Sequence, residues 1–548
     1  MTETPDRSNP NDSTGSGDLR RTEDIREPPS TLGGILKQLG PGLIIAASIV
    51  GSGELIMTTK TGANAGIVLL WLILLGCVIK VFVQLELGRF TISSGESTLT
   101  ALNRVPGPRL GRMNWVVLLW AIMALCTIGQ LGGIVGGVSQ AFAITFPVTG
   151  DYREAMRSPA AADIVRYVEI RQAEPESEKL GWVLEELAQL PPNFRDMLLG
   201  QARAVVHADT PVRQKESMDA LTDLTMPQTV DDRIWAGIIG VFTAIALFFG
   251  RYRLIERLSV VLVVAFTFIT IGNVVALQST RYALSSSDIM RGLMFGLPEG
   301  SDAILTALAT FGIIGVGASE LVMYPYWCLE KGYAKSVGPK DDSDAWLRRA
   351  CGWIRVMKFD AFASMVVYTV STAAFFLMGV AVLHTDGRDP NSSRLVSTLA
   401  ESYVPVFGEY GRLLLLGGAI AVLYSTYLVA NASNARVFAD FTGVVGLSDP
   451  RLESRQRRFL VSLLSFALPL ACVLVYLVVK APVFLIVISG TCQSLLLPVL
   501  GFGSLYFRYR ETDARLNPGI IWDFALLVSC LAMLVVGSWG LYRELIKF

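Results

Sequence analysis

Histidine is nearly absent from this sequence, and cysteine is sparse. The 548 residues include two histidines, His207 and His384, and seven cysteines without the paired spacing of metal ligands. A histidine-rich metal site is therefore excluded, and the cysteines, most of which lie in apolar stretches, are better interpreted as small hydrophobic residues. Charge is scarce too, at 17% of residues, and 47 basic residues balance 47 acidic ones. With no net charge, nothing indicates binding to nucleic acid.

Apolar residues dominate the composition. They make up 52% of the chain, and its mean hydropathy is +0.48. Values this high exclude a soluble enzyme and are typical of a protein embedded in the lipid bilayer. The first 30 residues are polar and contain no apolar core, so they are not a secretory signal. We expect residues 1–36 to form a disordered cytoplasmic tail.

Eleven apolar stretches can be marked along the chain. They are residues 40–59, 66–88, 114–146, 234–250, 254–277, 303–329, 359–383, 409–431, 458–479, 482–506 and 519–541. Such stretches predict transmembrane helices, so we expect an all-α membrane protein with about 11 of them. An odd number of crossings would place the two termini on opposite sides of the membrane.

Basic residues are concentrated in alternate loops. Loops on the N-terminal side carry groups such as Arg251 and Arg253, whereas the short opposite loops hold single lysines, Lys60 and Lys480. The positive-inside rule therefore predicts a multi-pass protein of the plasma or inner membrane, with a cytoplasmic N-terminus and an extracytoplasmic C-terminus. The predicted parts are the tail (1–36), transmembrane helices 1–3 (37–147), an insertion (148–232) and transmembrane helices 4–11 (233–548).

The insertion at residues 148–232 is polar, with 16 acidic residues against 9 lysines and arginines. Residues 177–190 and 193–206 have helical periodicity, and Pro191 and Pro192 separate them. We expect an extracytoplasmic helical cap. A solvated insertion without chemistry is the favoured interpretation, and the alternative is that its acidic excess enriches cations at the outer mouth.

Two similar segments place a carboxylate in apolar surroundings. Residues 49–57 read IVGSGELIM and residues 315–323 read GVGASELVM, so Glu54 and Glu320 follow small residues in both. A carboxylate at the centre of a membrane helix costs roughly 3 kcal/mol on insertion scales, so it is rarely there without a function. Neighbouring glycines allow a helix to unwind and expose its backbone groups.

The two segments lie in predicted spans one and six. Because five spans separate the two halves, the second half crosses the membrane in the opposite sense. Such inverted repeats place a binding site at the midplane, between discontinuous helices. We therefore expect a 5+5 inverted repeat plus one extra helix, with helices 1 and 6 discontinuous. Pro325, just after the second segment, further disfavours a continuous helix.

The two glutamates would supply the charge of this site. Carbonyl and carboxylate oxygens are hard ligands, suited to Mg²⁺, Mn²⁺ or Ca²⁺, and two close carboxylates could equally hold protons. Alternatively, each glutamate caps a broken helix or pairs with a buried base such as Lys80. Met57 and Met323 follow the glutamates by three positions, either as soft ligands or as ordinary packing. The predicted metal site comprises Glu54, Glu320, Gly51, Gly53, Gly317, Ala318, Ser319 and Gln493.

Four other segments resemble the Nramp (natural resistance-associated macrophage protein) divalent-metal transporters. They are GPGLIIA at residues 40–46, the start of span two at residues 66–71, GRYRLIE at residues 250–256 and residues 308–315 in span six. The resemblance covers most of the membrane part, but neither the tail nor the insertion. It implies the leucine-transporter fold, a transported metal ion as substrate and no resident cofactor.

The departures from the family fall at the site itself. The family's Asp-Pro-Gly-Asn aligns with Gly51-Ser52-Gly53-Glu54, so its Asp is replaced by Gly and its Asn by Glu. Its Met-Pro-His falls on Ser319-Glu320-Leu321 or, in a shifted register, near residues 323–325. Gln493 is similar to the family's tenth-span Gln. The chain thus resembles a divergent branch with relocated carboxylates.

The leading hypothesis is a secondary transporter that moves a divalent cation of the Mn, Fe or Mg class by alternating access, coupled to protons. No nucleotide-binding motif indicates ATP as the driving force. One alternative is an organic-cation or amino-acid permease in which Tyr324, Tyr326 and Trp327 face a cationic amine. Another is a membrane receptor or scaffold that uses the outer insertion. No arrangement of catalytic residues indicates an enzyme.

Overall fold

The fold is almost entirely helical. The computed structural model describes residues 25–174, 180–226, 229–250, 253–298, 301–390, 394–448 and 454–546. Within them the only strands are β1 (Arg109–Leu110) and β2 (Met113–Asn114), which pair antiparallel in a small hairpin. The prediction of an all-α protein is confirmed.

The first part of the chain forms a short helix and three apolar rods. Its helices are α1 (Leu32–Gln38), α2 (Pro41–Ile49), a π-helix (Val50–Thr58), α3 (Thr59–Ala65), a 3₁₀ turn (Gly66–Leu69), α4 (Leu70–Ser94), α5 (Thr98–Leu102) and α6 (Trp115–Thr145). Thr31 caps α1 by accepting a hydrogen bond from the Gly34 amide, and Ile35 is buried. Residues 1–24 of the expected tail lie outside the described residues, but residues 32–36 are helical rather than disordered.

The insertion is a small helical unit with its own apolar core. It comprises α7 (Asp151–Ala155), α8 (Ala161–Ala173), α9 (Gly181–Ala188), α10 (Pro192–Val206) and α11 (Pro211–Thr225). Ile164, Val183 and Leu198 are completely buried in this core. Pro191 and Pro192 separate α9 from α10 at the predicted position, since proline fits the first turn of a helix but not its interior.

The rest of the chain returns to long apolar helices. They are α12 (Asp231–Phe248), α13 (Arg253–Leu277), α14 (Ser286–Gly292), α15 (Ser301–Ile313), α16 (Ala318–Lys331), α17 (Tyr333–Val337), α18 (Asp344–Met378), α19 (Leu395–Ala400), α20 (Val404–Phe407), α21 (Glu409–Val445), α22 (Ser454–Val479), α23 (Pro482–Tyr506) and α24 (Ile520–Ile546). Two π-helical turns (Gly379–His384 and Phe507–Glu511) and two 3₁₀ turns (Glu401–Tyr403 and Ala514–Leu516) extend them.

The protein is an integral, multi-pass membrane protein. Eight helical segments of the described residues are long and apolar enough to cross a bilayer, and the first of them, Gly53–Ser94, includes parts of predicted spans one and two. Predicted span five falls partly on a shorter apolar helix, Val261–Leu277, and span four falls on α12. The count of 11 crossings and the orientation of the termini stay predictions.

Two apolar clusters meet at the π-helix. One joins α4, α18 and α24, and the other joins α6, α21 and α23. Ile49 belongs to the first cluster, whereas Leu55 and Ile56 belong to the second. The segment around Glu54 therefore lies at the centre of the membrane part, where both clusters surround it.

Candidate ion site at an interrupted helix

The second glutamate segment breaks a membrane helix. Helix α15 ends at Ile313, residues 314–317 are not helical, and α16 begins at Ala318 with Gly317 as its N-cap. Gly315 has φ +57°, a conformation that glycine adopts at little cost. The break exposes carbonyls at the end of α15 and amides at the start of α16, and their partial charges are negative and positive respectively. The predicted discontinuity of helix 6 is confirmed.

The first segment remains wound. Val50–Thr58 forms a π-helix that continues α2 into α3 without an extended residue between them. The Thr58 hydroxyl lies 2.9 Å from the Gly53 carbonyl oxygen and 2.5 Å from that of Glu54, and it donates to one of them at a time. The prediction that helix 1 is discontinuous is therefore wrong, because a wider helix accommodates the same small residues. π-Helical turns are rare and often mark functional sites.

Glu54 projects from the π-helix toward the break in helix 6. Its side chain is completely buried. Its Oε1 accepts a hydrogen bond from the Gly315 amide, at 3.3 Å. The Thr372 hydroxyl of α18 lies 3.0 Å from the same Oε1 and 2.6 Å from the Tyr368 carbonyl oxygen, and it donates to one of them at a time. Its Oε2 is buried without a hydrogen-bond partner among the described residues. A buried carboxylate oxygen in this state is costly, and a bound cation or a proton would remove that cost.

Glu320 lies in the first turn of α16, where the helix dipole favours a negative charge. Its Oε2 is 2.7 Å from the Ser319 hydroxyl. Ser319 in turn contacts Gln493 of α23: its amide and its hydroxyl lie 3.2 Å and 3.0 Å from the Gln493 Oε1. Gln493 Nε2 donates to Gln130 Oε1 at 2.7 Å. A chain of polar side chains thus fixes Glu320 against α23 and α6.

The two carboxylates border the same four-residue break. Glu54 contacts its Gly315 amide, and a methyl group on Gly317 would lie 2.5 Å from Glu320 Oε2. Both glutamates of the sequence hypothesis therefore border the same break, and their role as ion ligands stays a prediction.

The glycines of the predicted site allow neighbouring helices to pack closely. A methyl group on Gly53 would lie 3.1 Å from the Ile313 carbonyl oxygen, and one on Gly51 would overlap the Thr426 side chain of α21. Ala318 is completely buried at the start of α16. Because Gly51 and Gly53 lie within a wound helix, their predicted role as carbonyl ligands stays a prediction.

Three polar residues at this site were not predicted as part of it. Thr372 and Gln130 come from α18 and α6, and no sequence pattern marks either of them. Lys80 was considered only as a partner for a glutamate. Its ammonium donates instead to the carbonyl oxygens of Phe311 and, at 2.8 Å, Ile314. A lone lysine in an apolar span was the signal that could have identified it.

Neither histidine lies at this site, but one cysteine does: a methyl group on Gly315 would lie 3.5 Å from Cys77 Sγ of α4. Within the described ranges, no three His, Cys, Asp or Glu side chains come together in a way that could hold a metal ion. Met57 and Met323 are buried in the two apolar clusters, which favours the packing interpretation. The oxygens at the break, from two carboxylates and from amide, hydroxyl and main-chain groups, are hard ligands, whereas the Cys77 thiol would be a soft one.

The aromatic residues of α16 contact other elements. The Tyr324 hydroxyl is 3.3 Å from Asp360 Oδ2, Tyr326 donates to Asp440 at 2.9 Å, and the Trp327 indole donates to the Ser433 hydroxyl at 3.0 Å. These partners lie on α18 and α21, away from residues 314–317. The permease alternative, which needed these three rings around an amine, has no support from this arrangement.

Comparisons with known proteins agree with the fold. The profile of the family described as "Natural resistance-associated macrophage protein-like" matches residues 221–542. A crystal structure of a mutant Eremococcus coleocola manganese transporter is similar with a TM-score of 0.50 and 16% identity, over 95% of this chain and 97% of that one. Mhp1, a nucleobase-cation-symport-1 family transporter, gives a TM-score of 0.48 and 14% identity, over 93% and 91% of the two chains. No curated protein sequence matches the chain.

The family match covers more than half of the chain, including the helix break, Glu320 and Gln493. The structural similarity extends the shared fold to nearly the whole length. This chain therefore belongs to the Nramp-like family, and it is a metal-ion transporter with the leucine-transporter fold.

Proposed function

We propose that the protein transports a divalent cation of the Mg²⁺, Mn²⁺ or Fe²⁺ class through the break between α15 and α16. Glu54 and Glu320 are the charged ligands, and Gln493 and Ser319 position Glu320. The observation that carries this proposal is the unpartnered Oε2 of Glu54, which is fully buried at a break that Glu320 also borders. Two carboxylates match the charge of one divalent ion.

The donor set favours hard ions. Carboxylate, amide and hydroxyl oxygens suit Mg²⁺ and Mn²⁺ better than they suit softer metals. A protein of similar structure, from Eremococcus coleocola, is described as a manganese transporter, which agrees with an ion of this class. Mg²⁺ keeps several of its waters when it binds, so a site with few protein ligands is compatible with it.

Contacts on both sides of the site would have to open for transport. Asp360 of α18 accepts the Gly40 and Gly42 amides at 2.9 Å and 2.5 Å and so fixes the start of α2. At the other end of this rod, Lys60 donates to Asp389 at 2.5 Å. Alternating access requires that these two contacts break in turn, one on each side of the ion.

Proton coupling follows from the same pair of carboxylates. Two buried carboxylates close to each other do not both ionise easily without a cation between them. We therefore expect that a proton is held at this pair when it is empty and is released when the ion binds. The experiment is to follow both Mn²⁺ uptake and internal pH in proteoliposomes that contain purified protein.

Isosteric variants test the two ligands. Glu54→Gln and Glu320→Gln remove one charge each while they keep the side-chain shape, so each should reduce Mn²⁺ and Mg²⁺ uptake at least tenfold. Glu409→Gln is the matched control, because this glutamate is 78% exposed in its side chain and pairs only with Arg412 in the first turn of α21. Uptake by the double variant at the wild-type rate would refute the proposal.

A further inference from the structure

A third charged group lies at the helix break, and the transport proposal does not use it. Lys80 of α4 is completely buried in the membrane part. Its ammonium donates to the carbonyl oxygens of Phe311 and Ile314, and it also lies 4.7 Å from the centre of the Phe311 ring. A lysine at the centre of a span costs roughly 3 kcal/mol on insertion scales, so its position calls for an explanation.

Helix α4 passes close to the break one turn before Lys80. A methyl group on Gly315 would lie 3.0 Å from the Cα of Cys77, and one on Gly76 would lie 3.0 Å from the Ile314 side chain. From this close approach the lysine side chain reaches the end of α15. Both of its acceptors are main-chain carbonyls, and no carboxylate of the described residues lies within ion-pair distance of it.

The carbonyls at the end of α15 have the properties of a cation site. The last four carbonyls of a helix have no donor within it, and the helix dipole places a partial negative charge on them. In transporters with broken helices, such half-helix ends and unwound carbonyls coordinate Na⁺. Here an ammonium group occupies the same kind of position, and it belongs to the protein.

We propose that Lys80 is a built-in monovalent cation, which takes the place of a coupling ion at the carbonyl end of α15. It holds the carbonyl groups of Phe311 and Ile314 as a bound ion would. Transport by this chain therefore needs no Na⁺ or K⁺. The inference goes beyond the proposed function, because it concerns the carbonyl end of the break and not the cargo.

Removal of the ammonium group should convert the position into an ion site. In Lys80→Ala the carbonyls of Phe311 and Ile314 lose their donor and line a space as long as the lost side chain. A Na⁺ ion or a methylammonium ion fits such an environment, whereas choline is too large to enter it. Lys80→Met fills most of the space with apolar atoms and should bind neither ion.

The test compares melting temperatures (Tm) of the full-length protein in lipid nanodiscs. Each variant is measured in equal concentrations of choline chloride, NaCl and methylammonium chloride. We expect Lys80→Ala to melt about 3 °C higher in NaCl or methylammonium chloride than in choline chloride, because ligands that bind the folded state raise its Tm. The wild-type protein, Lys80→Met and the exposed-lysine control Lys335→Ala should show no such difference.

Two outcomes would overturn the proposal. One is a Lys80→Ala protein that is folded and has the same Tm in all three salts. The other is a wild-type protein that NaCl stabilises as much as it stabilises the variant. Uptake measurements add a second readout, since Na⁺ should accelerate divalent-ion uptake by Lys80→Ala at least threefold and leave the wild type unchanged. The Tm measurement tests the role of Lys80 even if the protein transports no divalent ion. Failure of this proposal is therefore distinguishable from failure of the transport proposal.

Discussion

Asp163 provides a quantitative test of how the insertion is held together. This residue of α8 is 6% exposed, and its Oδ1 has no hydrogen-bond partner among the described residues. Burial raises the pKa of the Asp163 carboxyl from its ordinary 3.8 to about 6, with Asp389 adding to the rise and Arg166 opposing it. The folded insertion therefore carries an unfavourable negative charge at neutral pH.

The free-energy cost of this buried charge follows from the rise in the pKa of Asp163. A rise of about two pKa units corresponds to about 3 kcal/mol between the two protonation states, at 1.36 kcal/mol for each unit. Because the folded-state pKa lies above the unfolded one, this destabilisation is complete above pH 6 and disappears as the pH falls toward 3.8. Asp163→Asn imitates the protonated carboxyl, so this variant should lack the destabilisation at every pH.

Hydrogen exchange followed by mass spectrometry measures this difference in the full-length protein. Peptides from α8 should exchange up to about a hundredfold more slowly in Asp163→Asn than in wild type at pH 7.5, after correction for the intrinsic rate. The two proteins should converge near pH 4. Faster exchange in the variant at pH 7.5 would refute the reasoning, because it would mean that the arginines nearby stabilise the charged form.

Two further predictions concern the break and the contact between Lys60 and Asp389. Gly317→Ala places a methyl group 2.5 Å from Glu320 Oε2 and should reduce divalent-ion uptake at least tenfold, whereas Gly417→Ala, with nothing within 4 Å, should leave it unchanged. Lys60→Met leaves Asp389 without its cation and should destabilise this contact by about 1–2 kcal/mol, a moderate value because Asp389 is 28% exposed. Faster hydrogen exchange at residues 384–390 would report that loss, and unchanged exchange would contradict it.

The gross architecture of the protein could be predicted from its sequence. Long apolar stretches predict membrane helices because the backbone must satisfy its own hydrogen bonds in lipid. The two buried glutamates were identified by the cost of a charge in that environment, and both are at the break. The inverted repeat and the number of crossings stay predictions, since nothing in the fold described above establishes either one.

The local conformation of the two glutamate segments could not be predicted. The two sequences are nearly alike, but only residues 314–317 leave the helix. Lys80, which is remote in sequence, satisfies the carbonyls that this break exposes. In the first segment the Thr58 hydroxyl supplies a local donor, and the backbone remains wound as a π-helix. Partners such as Thr372 and Gln130 escaped notice for a related reason, because only tertiary packing brings them to the site.

The most direct test of the central claim is a crystal structure of the protein soaked in Mn²⁺, with the ion located by its anomalous scattering. We expect one strong peak at the break, with Glu54 Oε2 and a Glu320 oxygen about 2.0–2.6 Å from it. Glu54→Gln should weaken or remove that peak. A protein that transports Mn²⁺ but binds it elsewhere, with neither glutamate in contact, would contradict the account.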